Sequence, residues 1–79
     1  IAPNPAKDHT YIYVEVRNYQ KNTQIEIRNL NGQLLNSHLI LASNGRLYQD
    51  LSSYSPGIYL FSLVVDGIVV EVQEIIVME

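Results

Sequence analysis

Apolar and polar residues alternate one for one from Thr10 to Arg17, with Ile12, Val14 and Val16 on one side and Tyr11, Tyr13, Glu15 and Arg17 on the other. A period of two is that of a β-strand with one buried and one wet face. Asn18 to Asn22 is polar and turn-like, and beyond it Ile25 and Ile27 alternate with Gln24, Glu26 and Arg28 in a second predicted strand. Asn31-Gly32 is predicted to close a two-residue type I′ hairpin, because both central positions need positive φ, which Asn and Gly tolerate best. Gln33 to Leu41 reads as the returning strand, with a bulge marked by the adjacent Leu34 and Leu35. Asn44-Gly45 marks the next turn, Arg46 to Leu51 a short strand and Ser52 to Pro56 a loop. Gly57 launches the most apolar run, Ile58 to Val65, whose near-continuous apolarity predicts burial on both faces. Asp66-Gly67 is a second hairpin signal, and Ile68 to Val72 with Ile75 to Val77 forms one long or bulged strand.

No stretch carries apolar residues at helical period between caps, so the chain is all-β. About seven short strands with frequent turns predict two packed antiparallel sheets, since a single open sheet would leave an apolar face wet. The expected core is Ile12, Val14, Val16, Ile25, Ile27, Leu60 and Val64, or their same-face neighbours on the final strands.

Composition narrows the function. Seventy-nine residues make one cooperative domain, and 47 % apolar against 16 % charged residues exclude a disordered tail. The net charge is −3, and the five basic residues Lys7, Arg17, Lys21, Arg28 and Arg46 stand singly, so the clustered positive charge that nucleic acid requires is missing. Cysteine is absent, which excludes a disulfide scaffold and thiolate metal sites. The longest charge-free run, Leu51 to Val65, is broken by Pro56-Gly57 and is shorter than the roughly 20 residues of a spanning helix, so no stable membrane insertion is expected. The chain opens at Ile1 without a basic region followed by an apolar stretch; any export leader is expected to lie outside it.

Catalytic chemistry finds no foothold. His9 and His38 lack a second His, a Cys or a carboxylate at ligand spacing and are read as exposed polar residues. Asp8, Asp50 and Asp66 sit at strand ends or turns, where carboxylates accept from local amides. No cofactor is expected. Of the six tyrosines, Tyr11 and Tyr13 share a face that would suit stacking of a carbohydrate or single-stranded nucleic acid, although cross-strand packing on a half-exposed sheet explains aromatic residues better. The run Leu51-x-x-Tyr54-x-Pro56-Gly57-Ile58-Tyr59 matches the tyrosine corner of immunoglobulin-like and fibronectin type III sandwiches, in which a Tyr hydroxyl ties a loop to the following strand. An immunoglobulin-like antiparallel β-sandwich of about seven strands is therefore the expected fold.

Taken in order, Pro3-Asn4-Pro5-Ala6-Lys7-Asp8, Asn29-Leu30-Asn31-Gly32-Gln33, Asp50-Leu51 with Tyr54-Ser55-Pro56-Gly57-Ile58-Tyr59, Asp66-Gly67 and Glu74-Ile75-Ile76-Val77-Met78-Glu79 punctuate the whole chain. In this order and spacing the chain resembles the C-terminal sorting domain of bacterial type IX secretion cargo. The resemblance implies a single domain over residues 1–79, with residues 1–8 an opening segment behind a cargo domain held in cis. It implies a non-catalytic export signal that passes through the periplasm, directs the cargo through the outer-membrane translocon, and presents it to a sortase for cleavage or surface attachment. By position, Asn4, Pro5 and Asp8 match the family's opening motif, Gly57 and Tyr59 its central motif, and Ile75, Ile76 and Val77 its terminal motif. Gln73 and Glu74 stand where the family usually carries a basic residue. The competing expectation is a fibronectin-like spacer or adhesion module, with carbohydrate binding as its further option.

Overall fold

A computed structural model describes residues 5–15, 22–41 and 43–78. They form six strands: β1 (His9–Glu15), β2 (Thr23–Asn29), β3 (Leu34–Leu39), β4 (Asn44–Asp50), β5 (Gly57–Val65) and β6 (Ile68–Val77). The strands make two antiparallel sheets, β1-β4 and β3-β2-β5-β6. Six strands are described rather than the expected seven, and Ile68 to Val77 is the one long strand expected. A register shift between Leu63 and Val64 lets β6 keep pairing with β5 past its extra residue Val70.

The alternation along β1 does what its period dictates: Thr10, Ile12 and Val14 are buried while Tyr13 and Glu15 face water. On β2, Ile25 and Ile27 turn inward toward them. With Phe61, Tyr59, Ile75, Val77 and Leu51 they form the core between the sheets. Complete burial of Ile27 contributes about 1.5–3 kcal/mol. Val16 lies outside the described residues.

On β5 the inward residues are Tyr59, Phe61 and Leu63; Leu60, Ser62 and Val64 occupy the outer face. Leu60 is therefore only half-buried and does not belong to the core, and Val64 is buried among its neighbours on that outer face. The expected burial of β5 on both faces holds only in part: on its outer face Ser62 and Val64 are buried, but Leu60 is half-buried and Ile58 is exposed.

The turns divide. Asp66 and Gly67 have φ of 51° and 79° and join β5 to β6 through a two-residue loop with both central residues left-handed. The β2–β3 connection is different: Gly32 has φ 84° but Asn31 is not in the positive region, so the two-residue type I′ turn is not what forms. Instead the Gly32 amide donates to the Asn29 carbonyl at 3.0 Å, and the Asn29 side-chain oxygen accepts from the amides of Asn31 and Gln33, each at 3.0 Å. The adjacent leucines are a true bulge, since Arg28 pairs with Leu34 and Ile27 with Asn36, leaving Leu35 unmatched. Asn44-Gly45 lies inside β4, opposite Glu15 and Val14, rather than forming a turn.

A polar bridge joins the sheets. Gln49 on β4 is 4 % exposed, and its side-chain oxygen accepts from His38 Nε2 at 2.6 Å and from Asn36 Nδ2 at 3.3 Å, both on β3. Its own Nε2 donates to the Asp50 carbonyl at 2.8 Å. His38 is accordingly half-buried and engaged, not the exposed residue expected from its isolation in sequence. A buried amide left without these partners costs about 1–3 kcal/mol, so the bridge fixes how β3 sits against β4.

Candidate functional site

One pole of the two sheets collects segments that are far apart in sequence. At this pole β1 and β5 begin and β2, β4 and β6 end. Asn29 pairs with Tyr59, Tyr59 with Ile75, and Gly57 with Val77. Ahead of β1 the chain makes a parallel bridge from Ala6 to Val77: the Ala6 amide donates to the Ile76 carbonyl and the Met78 amide donates to the Ala6 carbonyl, both at 2.7 Å. The Leu51 amide donates to the Asp8 carbonyl at 2.9 Å, joining the same opening segment to the end of β4.

Local chemistry holds the pole in shape. The Tyr59 hydroxyl donates to the Ser55 carbonyl at 2.6 Å, which is the tyrosine corner that the Leu51 to Tyr59 spacing predicts. Tyr54 packs beside Tyr59 with ring centroids 5.1 Å apart; burial, and then the neighbouring Tyr59, push the Tyr54 phenol above its usual range. Between this loop and the β2–β3 turn runs a shallow groove lined by Asn29, Leu35, Ser53, Tyr54, Ser55 and Tyr59. Asp8 accepts from His9 Nδ1 at 2.7 Å, and that hydrogen bond holds its carboxyl below the usual value. Asp50 accepts from the Ser52 amide at 2.9 Å and is lowered for the same kind of reason.

The sequence-predicted positions fall as follows. Pro5 and Asp8 are exposed on either side of the buried Ala6, and Gly57 begins β5. Tyr59, Ile75 and Val77 point into the core, whereas Ile76 turns outward and is 45 % exposed, beside Ile58 on the neighbouring strand. Asn4 lies outside the described residues. Pro5, Asp8, Gly57, Tyr59 and the terminal Ile75, Ile76 and Val77 are thus neighbours at one pole, although only Ile76 of the terminal three offers its side chain to solvent.

Sequence reasoning missed Ala6. It is 0 % exposed and occupies the edge of β6 just where the terminal motif lies, so a receptor strand could pair with that part of the edge only by displacing it. Nothing in a lone alanine between Pro5 and Lys7 signals this; its burial depends on a pairing with the far end of the sequence. Also unforeseen were the roles of Asn29, whose side chain organises the turn, and of Leu51, which is buried at the foot of the corner loop.

No group of three or more His, Cys, Asp or Glu among the described residues is arranged to hold a metal ion. The pole offers shape, hydrogen-bonding carboxylates and the outward apolar side chains of Ile58, Ile76 and Met78, which suits recognition by another protein. Comparison with curated proteins and with solved structures gives no match. A family model described as the secretion system C-terminal sorting domain matches residues 1–78, and the chain therefore belongs to that family, the sorting signals of type IX secretion.

Proposed function

We propose that this chain is an address label, carried behind a cargo protein in cis, that the outer-membrane translocon of the type IX system reads at the pole built from the opening, central and terminal motifs. The observation that carries this reading is the Ala6–Val77 bridge beside the Tyr59–Ile75 pair, which makes three motifs into one surface. The domain is non-catalytic, crosses the periplasm folded, and delivers its cargo to the cell surface or the medium. Sortase acts on the opening segment, because Ala6 is sequestered in its bridge while Pro5 beside it is exposed and restricts its own backbone. Asn4, Pro5 and Asp8 present that junction; Gly57 and Tyr59 shape the pole; Ile75 and Val77 anchor the final strand, and Ile76 is the side chain a receptor touches. The Tyr59–Ser55 hydrogen bond supports an immunoglobulin-like arrangement of the sandwich, which the spacer reading shares.

Export separates the two readings. Residues 1–79 are fused behind a signal peptide and a fluorescent reporter and expressed in a bacterium with a type IX system and in its translocon-deficient mutant. The reporter is expected at the surface or in the medium only in the first strain, and removing residues 74–79 should abolish this. Periplasmic retention in both strains would favour the spacer.

A further inference from the structure

The outward face of the two-stranded sheet lies away from the core and carries a second kind of surface. Pairing of β1 with β4 places His9 opposite Asp50, Tyr11 opposite Tyr48, and Tyr13 opposite Arg46. The alternation that buries Thr10, Ile12 and Val14 sends all six of these side chains to the other side. There they touch. The Tyr11 and Tyr48 rings lie 5.6 Å apart at 37°, and His9 meets both edge-on at 5.5 and 5.8 Å. The Arg46 guanidinium sits 4.7 Å from the centre of the Tyr11 ring.

Packing uses these rings unequally. Tyr11 is half-buried and has one face under Arg46, whereas Tyr13 and Tyr48 are 59 % and 53 % exposed. Cross-strand stabilisation accounts for Tyr11 against Tyr48. It does not account for Tyr13, which makes no aromatic contact among the described residues and stands next to Arg46 in the register.

The geometry points to this face as a binding site for a neutral saccharide chain. The apolar C–H face of a pyranose stacks on an exposed tyrosine ring, and its rim of hydroxyls needs donors and acceptors at the ring's edge. Arg46 supplies donors, and the Asp50 carboxylate, held ionised by the Ser52 amide, supplies acceptors. Charge decides against the other occupants. A polyanion would need a cationic track beside the rings, and Arg46 here is answered by Asp50 at one end of the same face. An apolar protein surface would have to cover the carboxylates of Glu15 and Asp50 at the two ends of the rings, and interface cores are depleted of Asp and Glu. A neutral polyol leaves them hydrated or hydrogen-bonded. The five paired positions from His9 to Tyr13 span about 14 Å at roughly 3.4 Å each, enough for a short run of sugar units.

The test is titration of the full chain with neutral hexasaccharides of glucose, mannose and N-acetylglucosamine, read by shifts of the tyrosine ring resonances. At least one sugar should bind with Kd of about a millimolar or tighter, with the largest shifts on Tyr13 and Tyr48. Tyr13→Ala and Tyr48→Ala should each weaken binding about tenfold, a loss of stacking of about 1.4 kcal/mol. Tyr48→Phe, which keeps the ring, should stay close to the parent, and so should Val72→Thr on the opposite sheet. Absence of binding to all three sugars up to about 5 mM, shifts centred away from this face, unchanged affinity in Tyr13→Ala with its melt preserved, or preference for a sulfated polysaccharide would each overturn the proposal. Because the readout is binding and not export, its failure leaves the sorting function untouched.

Discussion

The amide of Ala6 donates to the carbonyl of Ile76, and the reciprocal bond from Met78 back to Ala6 has the same 2.7 Å length. The opening segment and the last strand are therefore one mechanical unit. Ala6→Pro removes the donor and forces a ring into a site with no free surface. We expect it to lower stability by about 1–3 kcal/mol in a urea melt. A change below about 0.3 kcal/mol would mean that the bridge does not hold the strand.

The two faces of β5 should respond unequally to truncation. Phe61→Ala empties the core and should cost about 3–5 kcal/mol, while Leu60→Ala, on the half-exposed outer face, should cost less than half as much. Val14→Ala should cost about 1–3 kcal/mol. Equal losses at Phe61 and Leu60 would contradict the assignment of faces.

Both hairpin glycines hold left-handed φ, and an added Cβ at either would meet no atom within 4 Å. Gly32→Val and Gly67→Val should therefore destabilise through backbone conformation alone, by roughly 1–2 kcal/mol each. Asn31→Ala should stay within about 0.5 kcal/mol, since Asn31 is not left-handed, whereas Asn29→Ala should cost about 1 kcal/mol through two lost bonds to backbone amides. Reversal of that order in chemical denaturation would restore the two-residue turn.

These contrasts show where sequence pattern runs out. Strict alternation located β1 and β2 and their buried faces, because a period of two leaves one choice of side once the apolar set is known. Asp66-Gly67 announced its turn because both residues tolerate the backbone it requires. Leu60 was placed on the wrong face because Ile58 to Val65 is apolar almost throughout and carries no period to read. The β2–β3 turn was misjudged because its organiser, Asn29, stands outside the Asn-Gly pair. His38, Gln49 and Ala6 were invisible for a shared reason: each takes its role from a partner on another element.

Acid should weaken the pole. Asp50 and Asp8 both have folded-state pKa values below the ordinary 3.8, held there by the Ser52 amide and by His9. A carboxyl lowered on folding stabilises the fold fully above its unfolded value and loses that contribution as pH falls through the folded one. The melting temperature should therefore fall on the acid side of about pH 4, and Asp50→Asn, which still accepts from Ser52, should flatten that fall. A profile unchanged by Asp50→Asn would remove the carboxylate from the account.

The reading of the terminal strand is tested most directly by changing Ile75, Ile76 and Val77 one at a time to Thr, which keeps the β-branch, and measuring both the urea melt and export of a fused reporter. Ile75 and Val77 are buried and should lose about 1–3 kcal/mol, with export falling in proportion. Ile76→Thr, at an outward and half-exposed position, should melt within about 0.5 kcal/mol of the parent and yet block export. If Ile76→Thr is exported as well as the parent, and export follows stability across all three variants, then no receptor reads the outward face of this strand and the pole is not the address.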